Sequence, residues 1–194
     1  MKSSTAAAFY LPEGVGGDGR ERFTSTPTTG GPWSPDAQHG GPPAALLGRA
    51  LESLEPGSDR VLGRFSMDLL GPVPVGPVSV SAAVVRPGRS VSLREAVLHD
   101  EIRGRAVAIG RAWAFPRSAG GPAVADVAPA HGPEAGRHEE PPPGWHRGYL
   151  DAIEWRWLEG SIGEPGRGLV WMRPRVDLVE GEQMTPWQDR KSVV

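Results

Sequence analysis

The chain contains no cysteine. That absence excludes disulfide bonds, thiolate metal sites and a cysteine nucleophile. Long apolar runs are missing too, and no stretch approaches the length that spans a bilayer. The first residues, Met1 to Ala8, lack the apolar core of a secretory signal, so a soluble, cytoplasmic protein is expected. Charge of one sign is not in excess: 21 basic against 23 acidic residues leave a net charge of −2. This gives no electrostatic case for nucleic acid or an anionic membrane as partner. What the chain has in quantity is glycine and proline, 27 and 21 of its 194 residues. Their uneven placement divides it.

Weak alternation around Phe9-Tyr10-Leu11 and Arg22 to Thr26 predicts two short strands, followed by a turn-rich stretch from Pro27 to Pro35. From Pro42 to Leu54 the pattern turns helical. Ala44, Leu47, Leu51 and Leu54 share a face widened by Leu46 and Ala50, with Arg49, Glu52 and Ser53 opposite. Pro56-Gly57 ends it. Four strand-like runs follow with short connections: Val61 to Leu70, Val78 to Val84, Val91 to His99 and Arg105 to Phe115. They predict an antiparallel meander. In the last run Ala106, Ala108, Gly110, Ala112 and Ala114 make one face of small residues, with Val107, Ile109, Trp113 and Phe115 on the other. A strand face that small admits a thick neighbour, and the helix is the candidate. The expected fold is therefore α+β, an antiparallel sheet wrapped around one helix.

Pro116 to Gly144 carries seven prolines and five glycines, too little apolar area for a core. Residues 117–144 read as a linker between a first domain, 1–116, and a second unit, 145–188. There Ala152 to Trp157 and Gly168 to Arg173 predict strands, and Thr185-Pro186 supplies an N-cap with proline at the first helical position. Strand, strand, helix start thus occurs twice, a weak internal repeat.

The helix opens on Gln38-His39-Gly40-Gly41-Pro42-Pro43. Glycine lets a ligand approach backbone N–H groups closely, and the prolines suit a first turn that needs no N–H partner. A helix N-terminus offers free N–H groups and a partial positive charge, which suits an acceptor oxygen gaining charge during a reaction. The plainer reading is a Gly-Gly turn that starts a buried helix. His39 either contacts a ligand, titrating near neutral pH, or packs beside the turn against backbone. Gln38 is a polar donor at a pocket or a solvated loop residue. Trp155, Trp157 and Trp171 line an apolar pocket or fill a core. His131, His138 and His146 are scattered through and just after the linker, so no metal or other cofactor is expected.

The run from Gln38 to Leu47, followed by the meander, resembles the thioesterase-like superfamily. More narrowly it is similar to tandem hot-dog proteins of the acyl-CoA thioesterase II type, over Phe23 to Phe115 and again at the start of a second copy, Trp145 to Gln188. The resemblance implies hydrolysis of acyl-CoA or related acyl thioesters. The N–H groups of Gly40 and Gly41 would polarise the acyl carbonyl, with Gln38 and His39 against the substrate, and a carboxylate would activate water. Asp36 is the nearest carboxylate to the Gly-Gly turn, and equally a turn residue after Pro35. In the family the better-fitting carboxylate sits on the second domain's helix, so this chain is expected to be truncated, with residues 189–194 a non-native tail. The intact protein is a candidate homo-oligomer. A non-catalytic acyl-binding or structural hot-dog, or an inactive fragment, stays open as the alternative.

Overall fold

A computed structural model describes residues 8–55, 58–117 and 131–183. The expectations for Met1 to Ala7, for the stop at Pro56-Gly57, for residues 118–130 of the linker, for the helix start at Thr185 and for the tail lie outside these residues.

The first two predicted strands form as β1 (Ala8–Val15) and β2 (Glu21–Ser25). A 3-10 turn (Pro27–Thr29) and the short ladder β3 (Gly30–Gly31) with β4 (Ser34–Gln38) occupy the turn-rich stretch. The helix α1 spans Gly41–Glu52, then come β5 (Arg60–Leu69), β6 (Pro77–Arg86), β7 (Ser92–Asp100) and β8 (Arg105–Pro116). Beyond the proline-rich stretch lie a single helical turn α2 (Gly148–Ala152), the antiparallel pair β9 (Ile153–Glu159) and β10 (Leu169–Pro174), and β11 (Asp177–Val179).

Seven strands join one sheet in the order β11-β1-β2-β6-β7-β8-β5. All neighbours are antiparallel except β1 and β11, which run parallel. The expected meander holds for β6-β7-β8, but β5 pairs with β8 instead of its sequence neighbour β6. The reason lies in the connection after β5. It is pinned across β4: the Gln38 N–H donates to the Val73 carbonyl at 2.8 Å and the Val75 N–H to the Asp36 carbonyl at 3.0 Å. The chain therefore crosses over instead of turning back as a hairpin.

The sheet curls around α1, and the small-residue face of β8 lies against it. Ala108, Ala112 and Ala114 are fully buried. A Cβ on Gly110 would sit 3.2 Å from the Leu47 Cβ and 2.9 Å from Phe65 Cε2, so the alternating Ala/Gly pattern makes room for the helix. The buried stripe of α1 is wider than its periodicity predicts: Ala45 and Gly48 are buried as well, while Ala44 is half-buried. Leu46, Leu47 and Leu51 are fully buried, each such side chain contributing about 1.5–3 kcal/mol. Arg49, on the opposite side, makes a two-pronged ion pair with Glu182 at 2.7 and 2.8 Å and a further bond to Glu21 at 2.7 Å.

Candidate active site

Of the first four backbone positions of α1, from the N-cap Gly40 to Pro43, two are prolines without an N–H. Two donors remain. The Gly41 N–H donates to His39 Nδ1 at 3.1 Å. The Gly40 N–H has no acceptor among the described residues, and a Cβ at Gly40 would meet nothing within 4 Å. So the helix end offers one free amide where the sequence suggested two.

That bond also fixes the histidine. An Nδ1 that accepts a hydrogen bond carries no proton, so the neutral ring bears its proton on Nε2. Burial disfavours the charged ring and pushes its pKa down to about 4, so His39 does not titrate near neutral pH. Its backbone N–H donates to the Thr29 carbonyl at 2.7 Å, holding the residue against the 3-10 turn. Tyr149, from α2, stacks on the ring at 3.9 Å between centroids and 7° between planes, and Trp33 lies over it at 6.5 Å and 16°. His39 thus packs beside the turn, bonded to backbone on both its Nδ1 and its N–H.

The neighbouring candidates are placed differently. Gln38 is committed internally. Its Oε1 accepts from the Tyr10 hydroxyl at 2.6 Å, and its Nε2 donates to Ser25 Oγ at 3.0 Å and to the Pro74 carbonyl at 2.7 Å. It fastens β4 to β1, β2 and the crossover. Asp36 is exposed on β4, with its backbone N–H donating to Ser34 Oγ at 3.2 Å.

His39 forms part of the wall of a cavity of about 370 Å³, together with Trp33, Trp145, Trp155, Trp157 and Met172. On β9, Trp155 and Trp157 alternate onto one face and stack at 6.4 Å, and Val170 and Met172 of β10 stand opposite them on the same face. Trp171 faces the other way. It lines a separate open groove of about 510 Å³ with Glu154, Arg156 and Arg173, where Glu154 pairs with both arginines. An apolar cavity of about 150 Å³ already holds a benzene ring. The cavity beside His39 therefore has room for a ring with its linker or a medium-length aliphatic chain. Among the described residues neither Asp nor Glu lines it. Among the described residues no group of three His, Asp or Glu could hold a metal ion.

Sequence reasoning missed Tyr149, Trp33 and Trp145. They come from segments remote in the chain, and no spacing rule links them to the Gly-Gly turn.

Residues 29–115 match the family of the acyl-CoA thioesterase N-terminal domain. They contain the helix and most of the curled sheet of a hot-dog fold. The fold is shared with a hot-dog protein from Alicyclobacillus acidocaldarius, at a TM-score of 0.63 and 20% identity over 83% of this chain and 60% of that one. It is shared too with the tesB protein of Mycobacterium avium subsp. paratuberculosis, at a TM-score of 0.56 and 18% identity over 87% of this chain and 60% of that one. The chain thus spans about 60% of the length of each of these relatives. A comparison with curated proteins finds no match. Within the hot-dog domain the family match runs from the buried turn residue Thr29 to the end of the small-residue strand. It therefore includes the Gly-Gly turn, α1 and His39, and stops short of Tyr149 and the tryptophans of β9.

Proposed function

We propose that this chain binds acyl thioesters, and that the protein it belongs to hydrolyses them. The observation that carries the reading is the bond from the Gly41 N–H to His39 Nδ1. It leaves Nε2–H as a fixed, uncharged donor on a ring that walls an apolar cavity. The acyl group occupies that cavity and the thioester carbonyl oxygen takes hydrogen bonds from His39 Nε2–H and the Gly40 N–H. As water attacks, the oxygen gains negative charge, and donors already in place stabilise it without reorganisation. A neutral histidine keeps this donor at every pH above its own low pKa. The attacking water needs a base, which the family resemblance assigns to a carboxylate on a second unit's helix. On this reading β9 and β10 open that unit, residues 117–144 join it to the first, and the protein is cytoplasmic and self-associating. Among the described residues no helix is long and apolar enough to cross a membrane.

Acyl binding without hydrolysis is the second reading, favoured by a cavity wall that has no acidic side chain among the described residues. One experiment separates them. Because the chain has no cysteine, thiol release from acyl-CoA reads only the CoA product. Titration with acyl-CoA should change the fluorescence of the cavity tryptophans, while free CoA should not. Thiol release in addition marks hydrolysis. Equal responses to acyl-CoA and CoA, with no thiol released, would remove both readings.

A further inference from the structure

Tyr149 is fully buried, yet its hydroxyl has no hydrogen-bond partner among the described residues. Its ring lies flat on His39 and is backed by Phe9 at 6.0 Å on β1. The hydroxyl end reaches Gly41: a Cβ built there would lie 2.8 Å from Tyr149 Oη and 3.3 Å from His39 Nδ1. Glycine at 41 therefore makes room for a tyrosine of the same chain. The turn α2 that carries Tyr149 is itself fastened. The His146 N–H donates to the Pro32 carbonyl at 3.0 Å. A Cβ at Gly148 would come within 2.5 Å of the Pro27 carbonyl oxygen, so only glycine lets α2 lie this close to the 3-10 turn.

We propose that Tyr149 is a positioning residue for His39: its ring fixes the imidazole plane and shuts water from one face. This keeps Nδ1 on the Gly41 N–H and Nε2–H free for a ligand. The inference rests on the acyl-thioester reading for its role in activity, but not for its effect on the histidine. The part that acts is the ring, because the hydroxyl bonds to nothing described. The other groups placed against the imidazole are Trp33 and Gly41, neither of them charged. Arg167 is a cation elsewhere in the cavity wall, and the lowering of the His39 pKa comes from burial. The Tyr149 hydroxyl, pushed up to about 12 by burial, stays neutral wherever His39 titrates.

The test is to titrate His39 by NMR in the full chain without substrate, in the wild type and in Tyr149→Phe, Tyr149→Ala and Gly41→Ala. Wild type and Tyr149→Phe should titrate alike, far below the ordinary histidine range, and the phenylalanine variant should have the higher Tm because it sheds an unpaired buried hydroxyl. Tyr149→Ala should titrate at least tenfold higher in proton affinity constant, since one face of the ring opens to water. Gly41→Ala, which pushes Tyr149 from the other side, should move the same way and covers the case in which the alanine variant does not fold. An unchanged titration in whichever of these two variants folds overturns the proposal. So does a Tyr149→Phe variant that loses acyl-thioester binding with His39 unmoved, which would make the hydroxyl itself the working group. If the titrations shift as expected and the wild type binds no acyl thioester, the acyl-thioester reading fails while the placement of His39 by Tyr149 stands.

Discussion

Arg94, in β7, donates from Nη1 to the carbonyl of Leu51 in the last turn of α1 at 2.7 Å. The guanidinium is almost wholly buried, and it also pairs with Glu55 just beyond the helix. A cation at this end complements the negative pole of the helix and fills one of its unpaired carbonyls. The sheet thus holds both the side of α1, through the small residues of β8, and its C-terminal end.

Replacing Arg94 with methionine should lower stability by about 1–3 kcal/mol, because the Leu51 carbonyl is left buried without a donor. Glu55→Gln should cost less, since that side chain is 40% exposed. Chemical denaturation of the two variants checks the order.

The two glycines before the prolines should respond differently. Gly40→Ala meets open space, and φ at Gly40 is −62°, so it should fold as the wild type does. Gly41→Ala collides with Tyr149 and should cost about 1–3 kcal/mol as an overpacking change. Equal melting temperatures for both variants would contradict this packing.

Stability should depend on pH through His39. Its pKa falls from 6.5 to about 4 on folding, so between those values the unfolded chain binds the proton first. The contribution is complete above pH 6.5 and is lost as the pH falls, amounting to about 3 kcal/mol by the acid end. Denaturant unfolding at several pH values should show this slope, and His39→Gln should flatten it.

On β8, Ala108→Leu or Ala112→Leu should each cost about 1–3 kcal/mol, because both positions are fully buried under α1. Unchanged thermal midpoints in both would contradict the helix-on-small-face packing.

The helix and its seat could be read from local pattern. Leu47 and Leu51 recur at helical spacing, and Gly110 falls in an unbroken run of small alternating residues, so each signal sits within a dozen positions. The partner of β5 could not be read that way. Strand pairing depends on where the crossover through Val73 is pinned, and that pin is a backbone bond to Gln38. At the site, the Gly-Gly turn was visible but its reason was not. A glycine that admits a ligand and a glycine that admits Tyr149 look the same in sequence. The neutral state of His39 was hidden as well, because burial by Trp33 and Tyr149 sets it, and both approach from other segments.

The parallel pairing of β1 with β11 joins segments near opposite ends of the chain. Such a contact closes a very long loop, so it is slow to form and is reached late in folding. During synthesis β1 leaves the ribosome long before β11 exists. For that interval its outer edge offers unpaired backbone groups to any other strand, including the same segment of a neighbouring nascent chain. The closing strand therefore acts as a guard on the nascent sheet as much as a part of the finished one. Its arrival, and that of Glu182 to clasp Arg49 soon after, covers the part of that edge from Ala8 to Tyr10.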